Sequence, residues 1–229
     1  MQDNKRLTGD YRENIKIIDS ILHPQNNFDI IKKTLTVGKG ELTLYFIDGF
    51  VKDGVMQKLM VYLLSLKGLG SNIDGTEEEW EKTAPQSQRV SAFLHAHIPY
   101  VEADVTSDLD NMIQMLLSGA VIAIGSCFGE YGIIIDARTY PARDTGEPEG
   151  DKVMRGARDG FVETLIFNTA LIRRRIRNPE LTMSYISIGK SSQTDVVVCY
   201  MSDRADEKYV ETVKNKLKSI NTDSLALGH

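Results

Sequence analysis

The chain has 229 residues, of which 41% are hydrophobic and 26% charged, enough for one large domain or two small ones with an ordinary core. A formal net charge of −5 excludes a general nucleic-acid binder, which needs a basic face. Two cysteines without metal-ligand spacing, Cys127 and Cys199, exclude a disulfide framework and read as buried thiols in a reducing compartment. The polar N-terminus, MQDNKRLTGDYREN, lacks the apolar core of a signal peptide.

Tyr11 to Leu22 reads as the first helix, with Asp10 as its cap and Ile15, Ile18, Ile21 and Leu22 as its apolar stripe. Phe28 to Val37 and Glu41 to Asp48 read as two strands around a three-residue turn, Gly38-Lys39-Gly40. The second is apolar on both faces at its end, which predicts a central strand. A helix follows over 52–67, with Met56, Leu59, Met60, Leu63 and Leu64 facing the core. The stretch 68–84 is a polar loop, and 86–97 reads as a short helix with Trp80 beneath it. A short strand at 99–105 leads to a helix capped by Thr106 or Ser107 and ending near Leu117.

The longest uncharged run, Asn111 to Gly129, raises the question of a membrane span. Its polar residues and its change of period make it a helix end, a turn and a buried strand instead. Two apolar strands, 120–125 and 132–137, then form a hairpin. Next comes a stretch of linker composition, with prolines and glycines among mixed charges, over 141–154.

Beyond it, a long helix is predicted from Phe161 to near Arg177, capped by Asp159. Its predicted core stripe is Val162, Leu165, Ile166, Thr169, Ile172 and Ile176. Arg173, Arg174, Arg175 and Arg177 crowd its last turns, either as solvated cations matched to the helix dipole or as a docking face for an acidic partner or phosphate groups. Two alternating strands, 181–189 and 194–201, and a last helix, 206–220, complete the chain.

The sequence contains no G-x-G-x-x-G, P-loop, G-x-S-x-G or H-E-x-x-H. The run R-G-A-R-D-G at 155–160 has the glycine turn of a phosphate cradle, but Phe161 and Val162 stand where a P-loop carries Lys and Ser or Thr. His95 and His97 are too isolated for a metal site. Asp48 and Asp136 end strands, and Cys127 sits in a turn, with no partner nearby in sequence to make a catalytic pair. No cofactor is expected, and no enzyme.

Five segments carry a family resemblance. They are LYFIDGFVKDGVMQKLM (44–60), IPYVEADVTSDLDNMIQMLLSG (98–119), IIIDARTYPAR (133–143), EPEGDKVMRGARDGFVETLIFNTALIRRRIRNPEL (147–181) and IGKSSQTDVVVCYM (188–201). In this order they resemble the N-terminal region of the A subunits of GerA-type spore germination receptors and their sporulation paralogue. The resemblance implies a cytoplasmic region of two α/β subdomains that precedes membrane helices in the spore inner membrane. It also implies partners among germination-receptor or sporulation membrane proteins, or a second copy of the chain. It further implies that the family continues beyond the helix at 206–220, so the second subdomain is expected to be incomplete at its C-terminus, with an uncovered edge or apolar face.

The expected fold is therefore α/β, in two small subdomains, each a mixed β-sheet flanked by helices. The first takes residues 1–140, the linker 141–154 and the second 155–229. The expected function is assembly or regulation of a germinant-receptor or ion-release complex, with Arg155, Arg158, Arg173, Arg174, Arg175 and Arg177 as the candidate contact. The alternative is a small-ligand site between the subdomains.

Overall fold

Gly38 shows how closely the first sheet is covered. Strands β1 (Ile30–Val37) and β2 (Gly40–Ile47) pair antiparallel from Ile30↔Ile47 to Val37↔Gly40, so Gly38 and Lys39 alone link them. Gly38 takes φ +60°, the positive value that a two-residue hairpin loop with glycine first demands. A Cβ at this position would lie 1.9 Å from the Lys67 carbonyl oxygen. The expected three-residue turn is thus one residue shorter, because Gly40 is already in the ladder.

The computed structural model describes residues 5–70, 83–98, 102–139 and 160–223. The expected positions of Trp80, Asp159 and the 141–154 linker lie outside these. The chain divides into two units, one of residues 1–21 and 30–140, the other of 22–29 and 141–229. Residues 22–29, assigned from sequence to the first subdomain, thus group with the second.

In the first unit the sheet runs β1-β2-β4-β5-β3, with β3 at Ala103–Thr106, β4 at Val121–Gly125 and β5 at Gly132–Ile135. Every ladder is antiparallel. The mixed sheet expected from alternating helices and strands is corrected here, for a topological reason. Strand β3, helix α4 (Leu109–Leu117) and β4 form a crossover between two strands of the same direction. Strand β5 inserts between them, as in a split βαβ unit, so no parallel strands are neighbours.

Both faces of the central strands are covered. Leu42, Leu44, Val121, Ala123, Ile133 and Ile135 face Met56, Leu59 and Leu63 of helix α2 (Asp53–Ser65) and Val90, Phe93 and Leu94 of helix α3 (Gln86–His97). Leu64, expected in this face, is exposed, one step around the helix from Leu63. On the opposite face, helix α1 (Tyr11–Leu22) meets β2 through polar contacts. The Tyr45 hydroxyl donates to Asp19 Oδ1 at 2.9 Å, and Tyr11 Oη and Thr43 Oγ1 are 2.7 Å apart. Helix α4 also packs on β2 and β4. Asp10 caps α1 as expected, accepting from the Arg12 and Glu13 amides. Helix α4 is capped by Asp108 rather than Thr106 or Ser107, because its carboxylate reaches the Asn111 amide at 3.0 Å while Thr106 binds the Asp108 amide.

In the second unit, β6 (Leu181–Ile188) and β7 (Thr194–Met201) form an antiparallel pair, with Gly189 at φ +94° opening the connection. Helix α6 (Glu207–Lys218) packs on β6, capped by Asp206, which accepts from the Lys208 and Tyr209 amides. Phe28 and Asn27 bind β6 at one residue: the Phe28 amide donates to the Met183 carbonyl, and the Met183 amide donates to Asn27 Oδ1. Helix α5 (Leu165–Arg175) carries the candidate contact.

Candidate interaction surface

Helix α5 starts at Leu165, four residues after the expected Phe161. The Asn168 side chain is the cause. It accepts from the Val162 amide at 2.7 Å and donates to the Val162 carbonyl at 2.6 Å, which holds residue 162 out of the helix. The buried face of α5 is Thr169, Ala170 and Arg173. The expected stripe is corrected accordingly: Ile166 and Ile176 are exposed, and Leu165 and Ile172 are half-buried.

Arg173 is therefore no docking residue on this surface. Its exposure is 0%, and it is the largest fully buried side chain among the described residues. Its Nε donates to Asp29 Oδ2 at 2.8 Å and its Nη2 to Asp29 Oδ1 at 3.1 Å, a two-point guanidinium–carboxylate pair. Nη1 donates to the Asn178 carbonyl at 3.3 Å, and Nη2 also reaches Asn27 Oδ1. Asn27 in turn donates to the Leu22 carbonyl at 2.9 Å. One cluster thus ties α5, the 22–29 segment and β6 together. Among the described residues, no buried side-chain nitrogen or oxygen lacks a partner. Asn27 and Asp29 escaped the sequence reading because nothing local marks a partner 144 residues away.

The outward side of α5 is different. Phe161 is 68% exposed and Phe167 44%. Phe161, Leu171, Ile172 and Arg175 line an open depression of about 340 Å³. Arg174, Arg175 and Arg177 are exposed at the C-terminal end, where the helix dipole favours cations, and Arg177 Nε donates to the Arg174 carbonyl at 3.2 Å. Arg155 and Arg158 lie outside the described residues. Large apolar side chains exposed next to arginines have the composition of a protein contact.

The other sequence candidates resolve into structural roles. His95 is exposed while His97 is buried against Phe93, its ring 3.2 Å from the Gly70 carbonyl, so the two do not converge. Among the described residues, no group of three His, Cys, Asp or Glu could hold a metal ion. Asp136 is paired with the Arg138 guanidinium, whose hydrogen bond holds the carboxyl below its usual range. Cys127 and Cys199 are exposed rather than buried as expected, because each lies at a turn or an edge of its sheet. Partial desolvation, with Asp29 adding and Arg173 opposing, pushes the Cys199 thiol up and makes it a weaker nucleophile. Among the described residues, no helix is long and apolar enough to cross a membrane.

Residues 16–228 match the family described as Bacillus/Clostridium GerA spore germination protein. Stage V sporulation protein AF of Bacillus subtilis (strain 168) is 34% identical over 201 residues, covering 88% of this chain and 38% of that protein. Spore germination protein B1 of the same organism is 29% identical over 221 residues, covering 91% of this chain and 42% of that protein. The chain spans about two fifths of the length of these relatives. The crystal structure of the N-terminal domain of the A subunit of the Bacillus megaterium spore germinant receptor GerK3 matches with a TM-score of 0.67 at 19% identity. That match covers 96% of this chain and 75% of the other, and it shows a shared fold. With the family match running from residue 16 to residue 228, the chain belongs to the GerA spore germination protein family.

Proposed function

We propose that this chain is the N-terminal module of a spore inner-membrane germination protein, on the spore-core side, and that it serves assembly or regulation of a germinant-receptor or ion-release complex. The observation that carries this reading is the outward side of α5. Phe161 and Phe167 stand exposed on or next to the same helix as Arg174, Arg175 and Arg177, a surface suited to gripping a neighbour. Two relatives point the same way by name. One is a sporulation protein, and the other, YfkQ of Bacillus subtilis (strain 168), is described as a membrane protein and matches 98% of this chain at 27% identity.

The test is co-purification from detergent-solubilised membranes of sporulating cells that carry the tagged gene. Replacing Phe167 with Ser and Arg174 with Ala should reduce recovery of germination or sporulation proteins at least fivefold, with the tagged protein itself undiminished. Equal recovery with the wild type and the double variant would remove α5 as the contact.

A further inference from the structure

We infer that the second unit holds a binding site for a small aliphatic amine, in the groove between α6, the β6–β7 hairpin and residues 25–28. The groove encloses about 550 Å³, within the size range of small-molecule sites. No residue of α5 lines it, and it stands independently of the assembly reading.

Its walls have the chemistry of ammonium recognition. Phe28 and Tyr185 form one wall, their rings tilted by 40° with centroids 6.1 Å apart, and Tyr200 supplies another ring. Aromatic faces attract cations through their quadrupole. Glu207 and Glu211 are one turn apart on α6 and line the same side. An ammonium already sits there. Lys214 Nζ lies beside the Tyr200 hydroxyl, 3.4 Å from its oxygen and 5.2 Å from the ring centroid, and 3.5 Å from Glu211 Oε1. Lys214 thus occupies one cation position with one of the two carboxylates. Among the described residues the Glu207 carboxylate, exposed in the first turn of α6, makes neither a hydrogen bond nor an ion pair, which leaves it available to a second cation. The hydroxyls of Ser184 and Ser202 line the same groove and suit a ligand with a further polar group.

The assignment makes predictions of opposite sign. In ¹H–¹⁵N NMR titration of the whole chain with 1,4-diaminobutane, amides of 184–185, 200–202 and 207–214 should shift together and saturate at millimolar concentration. Succinate at the same ionic strength should leave them in place. Glu207→Gln should weaken binding about two- to fivefold, as expected for an exposed ion pair. Tyr200→Leu should weaken it by a similar factor, while Tyr200→Phe keeps the ring and most of the affinity. Lys214→Met removes the resident cation and should tighten binding. Glu13→Gln, on α1, is the control and should change nothing. Absence of saturable shifts, equal shifts with succinate, or unchanged affinity in Glu207→Gln and Lys214→Met would each overturn the site.

Discussion

In the first unit, β2, β4 and β5 are covered on both faces, and Leu44, Ile122 and Ile133 have no exposed surface. The polar groups buried there are partnered, as Thr43 is with Tyr11 and Tyr45 with Asp19. In the second unit, a two-stranded hairpin carries one packed helix, and the largest fully buried side chain among its described residues is an arginine. A two-stranded sheet is marginal on its own. Where apolar area is plentiful, packing alone selects the structure. Where it is scarce, the geometry is set by a few directional contacts, here Arg173 with Asp29 and Asn27. A buried ion pair is weak evidence of net stability, but removing one partner strands a charge in the interior.

The largest effect that separates the two designs belongs to the first. Ile122→Asp puts a lone carboxylate between two covered faces, and the β2–β5 amides should lose all slow hydrogen exchange. Retained protection would show that the sheet has a wet face. Next is Arg173→Ala, which strands Asp29 and should cost about 3–5 kcal/mol in urea unfolding read at the β6–β7 amides. Arg173→Met combined with Asp29→Leu should recover most of that loss, because both charges leave together. A double variant as unstable as the single would mean that the pair itself, not the stranded charge, holds the unit.

A smaller effect is set by pH. Burial, followed by the Asp19 charge, holds the Tyr45 phenol well above its ordinary value. The folded chain therefore keeps this proton while the unfolded chain releases it near pH 10. That contribution is intact below pH 10 and falls by about 1.4 kcal/mol per pH unit above it. Tyr45→Phe should flatten this alkaline slope in thermal melts at pH 9–11, and an unchanged slope would assign it elsewhere. Smallest is Arg174→Ala, expected to shift stability by no more than about 0.5 kcal/mol, since the residue is exposed. A larger loss in the same urea assay would give Arg174 a structural role like that of its neighbour.

Local chemistry alone determined a good deal of this protein. The period of Ile15, Ile18 and Leu22 marked α1 to the residue, Asp10 marked its start, and the apolar runs at 120–125 and 132–137 marked two neighbouring strands. These follow from backbone sterics, capping and hydrophobic period, all of which act over a few positions. Five specific segments also sufficed to indicate the family. Only the tertiary structure decided which strand lies beside which, since the insertion of β5 between β3 and β4 is invisible to local pattern. It also decided which arginine turns inward. Four arginines in five positions look alike in sequence, and Arg173 is set apart only by an aspartate 144 residues away. Burial of a charge depends on a distant partner, and chain proximity carries no record of it.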